Sequence, residues 1–412
     1  MKPRRTAGPA RIGLALAGGG PLGAIYEIGA LCALQEALDG VDFNALSGYV
    51  GVSAGGFIAA GLANGMTPRQ LCRAFIENDG PRQDLVRPEQ FIRPAWGEFA
   101  RRGAALPGLL LRAGLRVVFG RRALLSAVEI LGRALPTGLL SPAPLEAQIR
   151  RVLSAPGRSN DFRDLKRKLV LVATDLDSGE AAPFGQPGWD HVPISQAAAA
   201  SAALPGLFPP VAIGGRWYVD GALKKTLHAS VLLESGLDLL ICLNPLVPFD
   251  ATHARHRIMA GGDARIPRLV IGGLPVVLSQ TLRSLIHSRL ELGLERYGRT
   301  HAGTGILLFE PDHHDPEMFL ANTFGYAQRR LLAEHAYQRT RADLRSRRST
   351  LAPTLARHGI QLNDAVLDDA RRTLLGRKRR APTRAARAMQ RLDEVRDDLD
   401  AALAARPARQ PR

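Results

Sequence analysis

Gly48-Tyr49-Val50-Gly51-Val52-Ser53-Ala54-Gly55-Gly56-Phe57 is the stretch that decides the fold. A short strand-like run ends at Ser53, and Ala54 to Asn64 then reads as a helix of small residues that stops near Gly65 and Pro68. Gly51 to Gly55 fits G-x-S-x-G, in which a serine occupies a tight strand-to-helix turn and small flanking residues let the backbone pass closely. Taken alone, the same residues also describe a glycine-rich turn with Ser53 capping the helix at Ala54.

The same pattern precedes it. Ile12 to Ala17 is a short apolar run, Gly18-Gly19-Gly20-Pro21-Leu22-Gly23 turns the chain, and Ala24 to Leu38 has helical character. Two successive strand–turn–helix units predict a parallel sheet. Further strands are expected at Lys168 to Thr174, Arg216 to Val219, Leu237 to Cys242 and Gly305 to Phe309, with helices over 194–204 and 222–235. Residues 79–145 mix Pro, Gly, Arg and Leu without a strand pattern and read as a helical insertion. Past about residue 325 only Ala- and Arg-rich helical sequence remains.

Hydrophobic residues at 46% and charged residues at 23% describe a packed chain and exclude a disordered one. The net charge of +17 is uneven, since residues 371–412 alone carry +8 of it. No zinc-finger, homeodomain or aromatic RNA-binding signature accompanies that charge, so a nucleic-acid partner is not expected. Cys32, Cys72 and Cys242 lack both disulfide-framework and zinc spacing, which points to a reducing, cytoplasmic setting. The basic leader 1–11 runs into an apolar stretch too short for a signal-peptide core, and no window of 18 uninterrupted apolar residues suggests a membrane span. No metal or cofactor is expected.

The glycine-rich turn admits two chemistries. It satisfies G-x-G-x-x-G, the dinucleotide fingerprint, but that motif wants an acidic residue at the end of the second strand. That strand ends instead in Val52-Ser53, and Asp39 and Asp42 precede it. The alternative is an oxyanion hole, in which backbone amides face the oxygen that turns negative when a serine attacks an ester carbonyl. Adjacent parallel strands would put this loop beside Ser53, and Pro21 has no N–H to offer.

Together with Asp220-Gly221-Ala222, these elements resemble the patatin-like phospholipases, whose pattern is a glycine-rich oxyanion loop, then G-x-S-x-G, then Asp-Gly-Gly or Asp-Gly-Ala. Ser195 to Pro210, with Ala200-Ser201-Ala202-Ala203-Leu204-Pro205, and Thr174-Asp175 with Gly179, also look like that family, over roughly residues 12–310. The resemblance implies a three-layer α/β fold with a mainly parallel central sheet over 12–325, the helical insertion 79–145 included, and a helical basic extension follows over 326–412. The extension is read from composition alone, whereas the resemblance implies lipid acyl-ester hydrolysis with Ser53 as nucleophile, Asp220 as base, Gly51 and Gly55 flanking the elbow, and Gly18, Gly19, Gly20 and Gly23 in the oxyanion loop. One departure stands out: Leu22 occupies a position where the family usually carries Arg or Lys.

Rival readings remain. A Ser-His-acid triad could draw on His313 or His314 after a late strand, with Asp175 or Asp177 as acid. A non-catalytic lipid-binding module of the same fold is another. The insertion interleaves Arg101, Arg102, Arg112, Arg116, Arg121, Arg122 and Arg133 with Leu109, Leu110, Leu111, Leu115, Val117, Val118 and Phe119, which suits either an interfacial helix on anionic lipid or a lid packed on the core. Residues 371–412, with Arg391, Asp393, Glu394, Arg396, Asp397 and Asp398, read as a solvated helix.

Overall fold

In the computed structural model, residues 9–85, 93–119, 132–252, 268–320 and 328–375 are described, side chains 82, 113–119 and 320 excepted. Arg121, Arg122, the first eight residues of the basic leader and the tail past 375 lie outside the described residues.

Along the chain the elements are β1 (Ile12–Leu16), α1 (Gly20–Ala37), β2 (Leu38–Asp39), β3 (Gly48–Gly51), α2 (Ala54–Ala63), α3 (Pro68–Cys72) and α4 (Trp96–Phe119). Next come α5 (Ala143–Leu153), β4 (Lys168–Asp175), β5 (Ala181–Phe184), α6 (Ile194–Ser201), β6 (Val211–Ile213), β7 (Arg216–Asp220), α7 (Ser230–Leu233) and β8 (Leu239–Leu243). The described chain closes with α8 (Gly273–Thr300), β9 (Gly305–Phe309), α9 (Pro316–Leu320), α10 (Arg329–Ser346), α11 (Arg348–Ala356), β10 (Gln361–Leu362) and α12 (Asp364–Asp368).

The main sheet runs β6-β7-β4-β3-β1-β8-β9, with β5 also on β4. Strands β4, β3, β1, β8 and β9 are parallel, so helices cover both faces and the central strands are buried throughout. That is why Ile12 to Leu16 and Leu239 to Leu243 read as continuous apolar runs instead of alternating ones. The other strand pairs, β4 with β5, β4 with β7 and β6 with β7, are antiparallel.

The sequence reading missed β5 and β6, which are short, and α8, whose 28 residues contain Gly, Pro and mixed polar positions. By length and composition Leu269–Thr300 could cross a membrane, a property that a search for uninterrupted apolar runs overlooks. In the fold this helix buries Ile286, His287 and Leu290 and exposes Leu274, Val277, Leu278 and Leu285.

Sequence composition separates an extension at residue 326, yet the chain up to Leu374 forms one compact unit. Helix α10 packs on α1, where a side chain at Gly29 would stand 2.5 Å from the Ala333 carbonyl oxygen. Tyr337 donates to Glu36 at 2.6 Å, and β10 pairs antiparallel with β2. A second unit runs from Leu375 to Arg412 and lies outside the described residues past Leu375.

Candidate active site

Register brings the two reactive side chains to one level. Gly51 pairs with Leu171, so Ser53, two residues on, comes level with Ala173, and Ala173 pairs with Asp220. Asp220 closes β7 at its carboxyl end. Its strand is antiparallel, so register with β4 and not strand direction delivers the carboxylate.

Ser53 has φ 53° and ψ −124°, a strained conformation for a residue with a Cβ. The turn survives because its surroundings over-determine it. The Ser53 N–H donates to Ser201 Oγ at 2.8 Å, and that hydroxyl donates to the Val172 carbonyl at 2.6 Å. The Gly55 N–H reaches the Ala17 carbonyl at 3.1 Å, and a Cβ on Gly55 would stand 2.3 Å from the same oxygen. A Cβ on Gly51 would stand 2.5 Å from the Gly56 Cα. Both flanking glycines are therefore required by close backbone approach. In sequence Ser201 is one residue of a small-residue run, and its role as the clip between elbow and sheet is not legible from that composition.

Asp220 is 3% exposed, accepts the Ala222 N–H at 2.9 Å, and donates its own N–H to the Ala203 carbonyl at 3.0 Å. Burial pushes its carboxyl up to about 6, partly offset by hydrogen bonding from the Ala222 amide and the Ser53 hydroxyl. The next turn is held by buried His228, whose Nε2 lies 3.1 Å from the Gly221 carbonyl and which burial pushes down to about 4.

Gly18 lies against the nucleophile: a Cβ there would be 3.0 Å from Ser53 Cβ and 3.5 Å from Ser53 Oγ. Gly19, at φ 144°, carries the chain into α1, which starts at Gly20. The first turn of a helix leaves its amides without intrahelical acceptors, so Gly20 and Leu22 present free donors while Pro21 has none. Gly23 requires a correction. Its N–H is committed to the Gly19 carbonyl at 3.0 Å, one turn into the helix, so it cannot serve an oxyanion; its small size instead seats it against Gly18 and Pro245.

Gly18, Gly19, Gly20, Ser53 and Asp220 all line one cavity of about 290 Å³ whose other walls are mainly apolar, among them Phe57, Ile149, Leu204 and Leu282. Among the described lining residues only Asp220 and Arg283 carry charge. Arg283 was not singled out from the sequence, where it is one arginine of many. Its Nη1 donates to the Val247 carbonyl at 3.2 Å, its guanidinium lies 5.3 Å from the Phe319 ring centroid, and desolvation lowers its pKa to about 10, which leaves it cationic at neutral pH. One turn further along α8, Ile286 packs on Val52 and Ala222, the neighbours of Ser53 and Asp220.

The histidine alternatives fall elsewhere. His313 Nδ1 lies 3.2 Å from the Pro248 carbonyl, His314 pairs with Asp312 and Asp250, and neither lines the cavity. Asp175 is occupied by Arg216 at 3.1 Å and by the Asp177 and Ser178 amides.

A serine on a strained strand-to-helix elbow, with a buried carboxylate at its level and a glycine turn over it, defines an α/β fold of hydrolase architecture. The family model for patatin-like phospholipases matches residues 14–233, just over half of the chain, and the chain belongs to that family. Among solved structures it is similar to VipD from Legionella pneumophila, at 19% identity over 80% of this chain and 68% of that one, TM-score 0.35. It is also similar to the type III effector protein ExoU, at 17% identity over 81% of this chain and 53% of that one, TM-score 0.30. A SpcU–ExoU complex from Pseudomonas aeruginosa matches at 16% identity over 70% of this chain and 53% of that one, TM-score 0.26. The chain thus spans about half the length of the ExoU chains, and at these values no residue role transfers from either protein.

Proposed function

We propose that this protein hydrolyses lipid acyl esters by a serine–aspartate dyad. The observation that carries the proposal is the shared wall of one apolar cavity, on which Ser53, the buried Asp220 and the Gly18–Gly20 turn stand together. Asp220 takes the Ser53 proton as Oγ adds to the ester carbonyl, and amides of the turn and the start of α1 receive the oxyanion. Collapse expels the alcohol, which takes the proton from Asp220, and leaves an acyl-enzyme. Water, deprotonated by Asp220, then releases the fatty acid and restores Ser53. The supporting experiment is hydrolysis of a panel of neutral and phosphate-bearing acyl esters by the purified chain; release of acyl chains from none of them would refute it.

Arg283 supports phosphate-bearing esters as substrates despite Leu22. A desolvated guanidinium with one carbonyl partner among the described residues gains most from an anion, and charged hydrogen bonds contribute about 1.5–3 kcal/mol. Arg283→Met is expected to cut kcat/KM on a phosphate-bearing ester about 10- to 100-fold. A neutral short-chain ester should hold its rate and Arg283→Lys should recover part of the loss. An equal fall on both substrates would show that Arg283 merely supports the wall.

Membrane contact is favoured by the outer face of α8, where Leu274, Val277, Leu278 and Leu285 are exposed on the helix whose inner side lines the cavity. Exposed Trp96, Leu110 and Leu111 on α4 add apolar surface in the insertion. Co-sedimentation with anionic liposomes at physiological salt is expected to fall several-fold on Leu274→Ser/Leu278→Ser substitution. Failure of the parent chain to sediment would sink the idea.

A further inference from the structure

Away from the Ser53 cavity, three side chains converge where α8 meets the end of β9. His287 comes from α8, and Glu310 and His313 follow β9. Their nearest ligand atoms all lie within 4.8 Å of one another. His287 Nδ1 is 4.0 Å from Glu310 Oε2, and His313 Nε2 is 4.0 Å from Glu310 Oε1. These separations are about 1 Å too long for charge-assisted hydrogen bonds. His287 is 8% exposed, and its Nδ1 has no hydrogen-bond partner among the described residues.

Each ring has an outer contact on one nitrogen and turns the other toward the carboxylate. His313 Nδ1 lies 3.2 Å from the Pro248 carbonyl, which can only accept, so Nδ1 is the donor there and Nε2 is the nitrogen that faces inward. His287 turns Nε2 toward Glu291 Oε1 at 3.5 Å, so Nδ1 is the nitrogen that faces inward. The Glu310 carboxylate is oriented by the Asn244 amide at 3.2 Å. Two imidazoles and a carboxylate turned toward one another across gaps of 4.0 Å leave room for a cation between them. Outer partners that fix the ligand tautomers are the usual support of a metal site.

The neighbouring cluster shows the contrast. His335 reaches Asp315 at 2.6 Å and Glu317 at 2.8 Å, so its ring nitrogens already sit at hydrogen-bond distance from the carboxylates and leave no gap for an ion.

We propose that His287, Glu310 and His313 form a three-ligand site for a divalent transition-metal ion, zinc by ligand chemistry. Two imidazoles and a carboxylate suit zinc, with water as the fourth ligand. A tetrahedral ion with bonds of about 2.0–2.1 Å holds its ligand atoms about 3.3 Å apart, so small rotations of Glu310 and His313 close the site. None of the three ligands lines the Ser53 cavity. Yet His287 adjoins Ile286, which packs on Val52 and Ala222, so the ion would tie the cavity's α8 wall to the parallel sheet.

The test uses the full chain, stripped with chelator and titrated with zinc sulfate in the absence of any substrate, so the hydrolase proposal can fail without affecting it. One zinc ion per chain with sub-micromolar affinity is expected, with a rise of several degrees in Tm that magnesium does not reproduce. Glu310→Gln and His313→Ala, both at partly exposed positions, should each weaken binding about 10- to 100-fold. His335→Ala and Ser53→Ala should leave it unchanged. Equal zinc affinity in the parent and His313→Ala, loss of binding in His335→Ala instead, or no binding by the parent would each overturn the assignment.

Discussion

Replacing Ser53 with alanine is expected to lower kcat/KM by about ten-thousand-fold or more on every ester that the parent cleaves, because the acyl-enzyme then has no oxygen to form on. The fold should survive, since the Ser201 hydroxyl accepts a backbone amide at this position and any residue supplies one. Ser53→Gly separates chemistry from strain. It is equally inactive, but at φ 53° and ψ −124° glycine adopts the elbow without the cost of a Cβ, about 1–3 kcal/mol. The glycine variant should therefore melt above the alanine variant in thermal unfolding. Equal melting temperatures would show that the elbow stores no strain.

Asp220→Asn is expected to remove about three orders of magnitude or more of activity while raising stability at neutral pH. The folded chain holds this carboxyl at about 6, above the usual value of 3.8. A group that binds its proton more tightly when folded contributes its full stability below the unfolded pKa, and that contribution is lost as pH rises from about 4 through about 6. By pH 7 the buried carboxylate costs on the order of 3 kcal/mol, which asparagine does not incur. The variant should melt a few degrees higher at pH 7 to 8, with the gain vanishing toward pH 4. The same shift sets the parent's rate profile. Only ionised Asp220 accepts the Ser53 proton, so log kcat/KM should fall with unit slope below about pH 6. A rate flat down to pH 5, or a variant no more stable than its parent at pH 8, would count against the assignment.

The core of the fold was legible because its parallel strands are buried on both sides and therefore continuous in sequence, as at Ile12 to Leu16, Gly48 to Gly51 and Leu239 to Leu243. Short antiparallel additions such as Val211–Ile213 left too few residues for a period to show. Helix α8 escaped notice because only a narrow stripe, Ile286, His287 and Leu290, is buried while apolar residues also face outward, which blurs the helical pattern.

The site divides in the same way. Ser53 sits in a local strand–turn–helix whose consequences follow from neighbouring residues. Asp220 depends on the register of β7 against β4, a long-range property that the Asp-Gly dipeptide does not encode. Gly23 was assigned with the other glycines because the helix start was expected at Ala24, and beginning four residues earlier places its amide inside the first turn. Arg283 and Ser201 acquire their positions only from tertiary packing, which is why composition hid them.

The central claim is that Ser53 is the acylated nucleophile, and covalent labelling with a fluorophosphonate tests it most directly. Intact-mass and peptide analysis of the labelled parent is predicted to show one adduct, on Ser53, absent from Ser53→Ala and formed far more slowly in Asp220→Asn. An adduct on another serine, or equal labelling of Ser53→Ala, would contradict it.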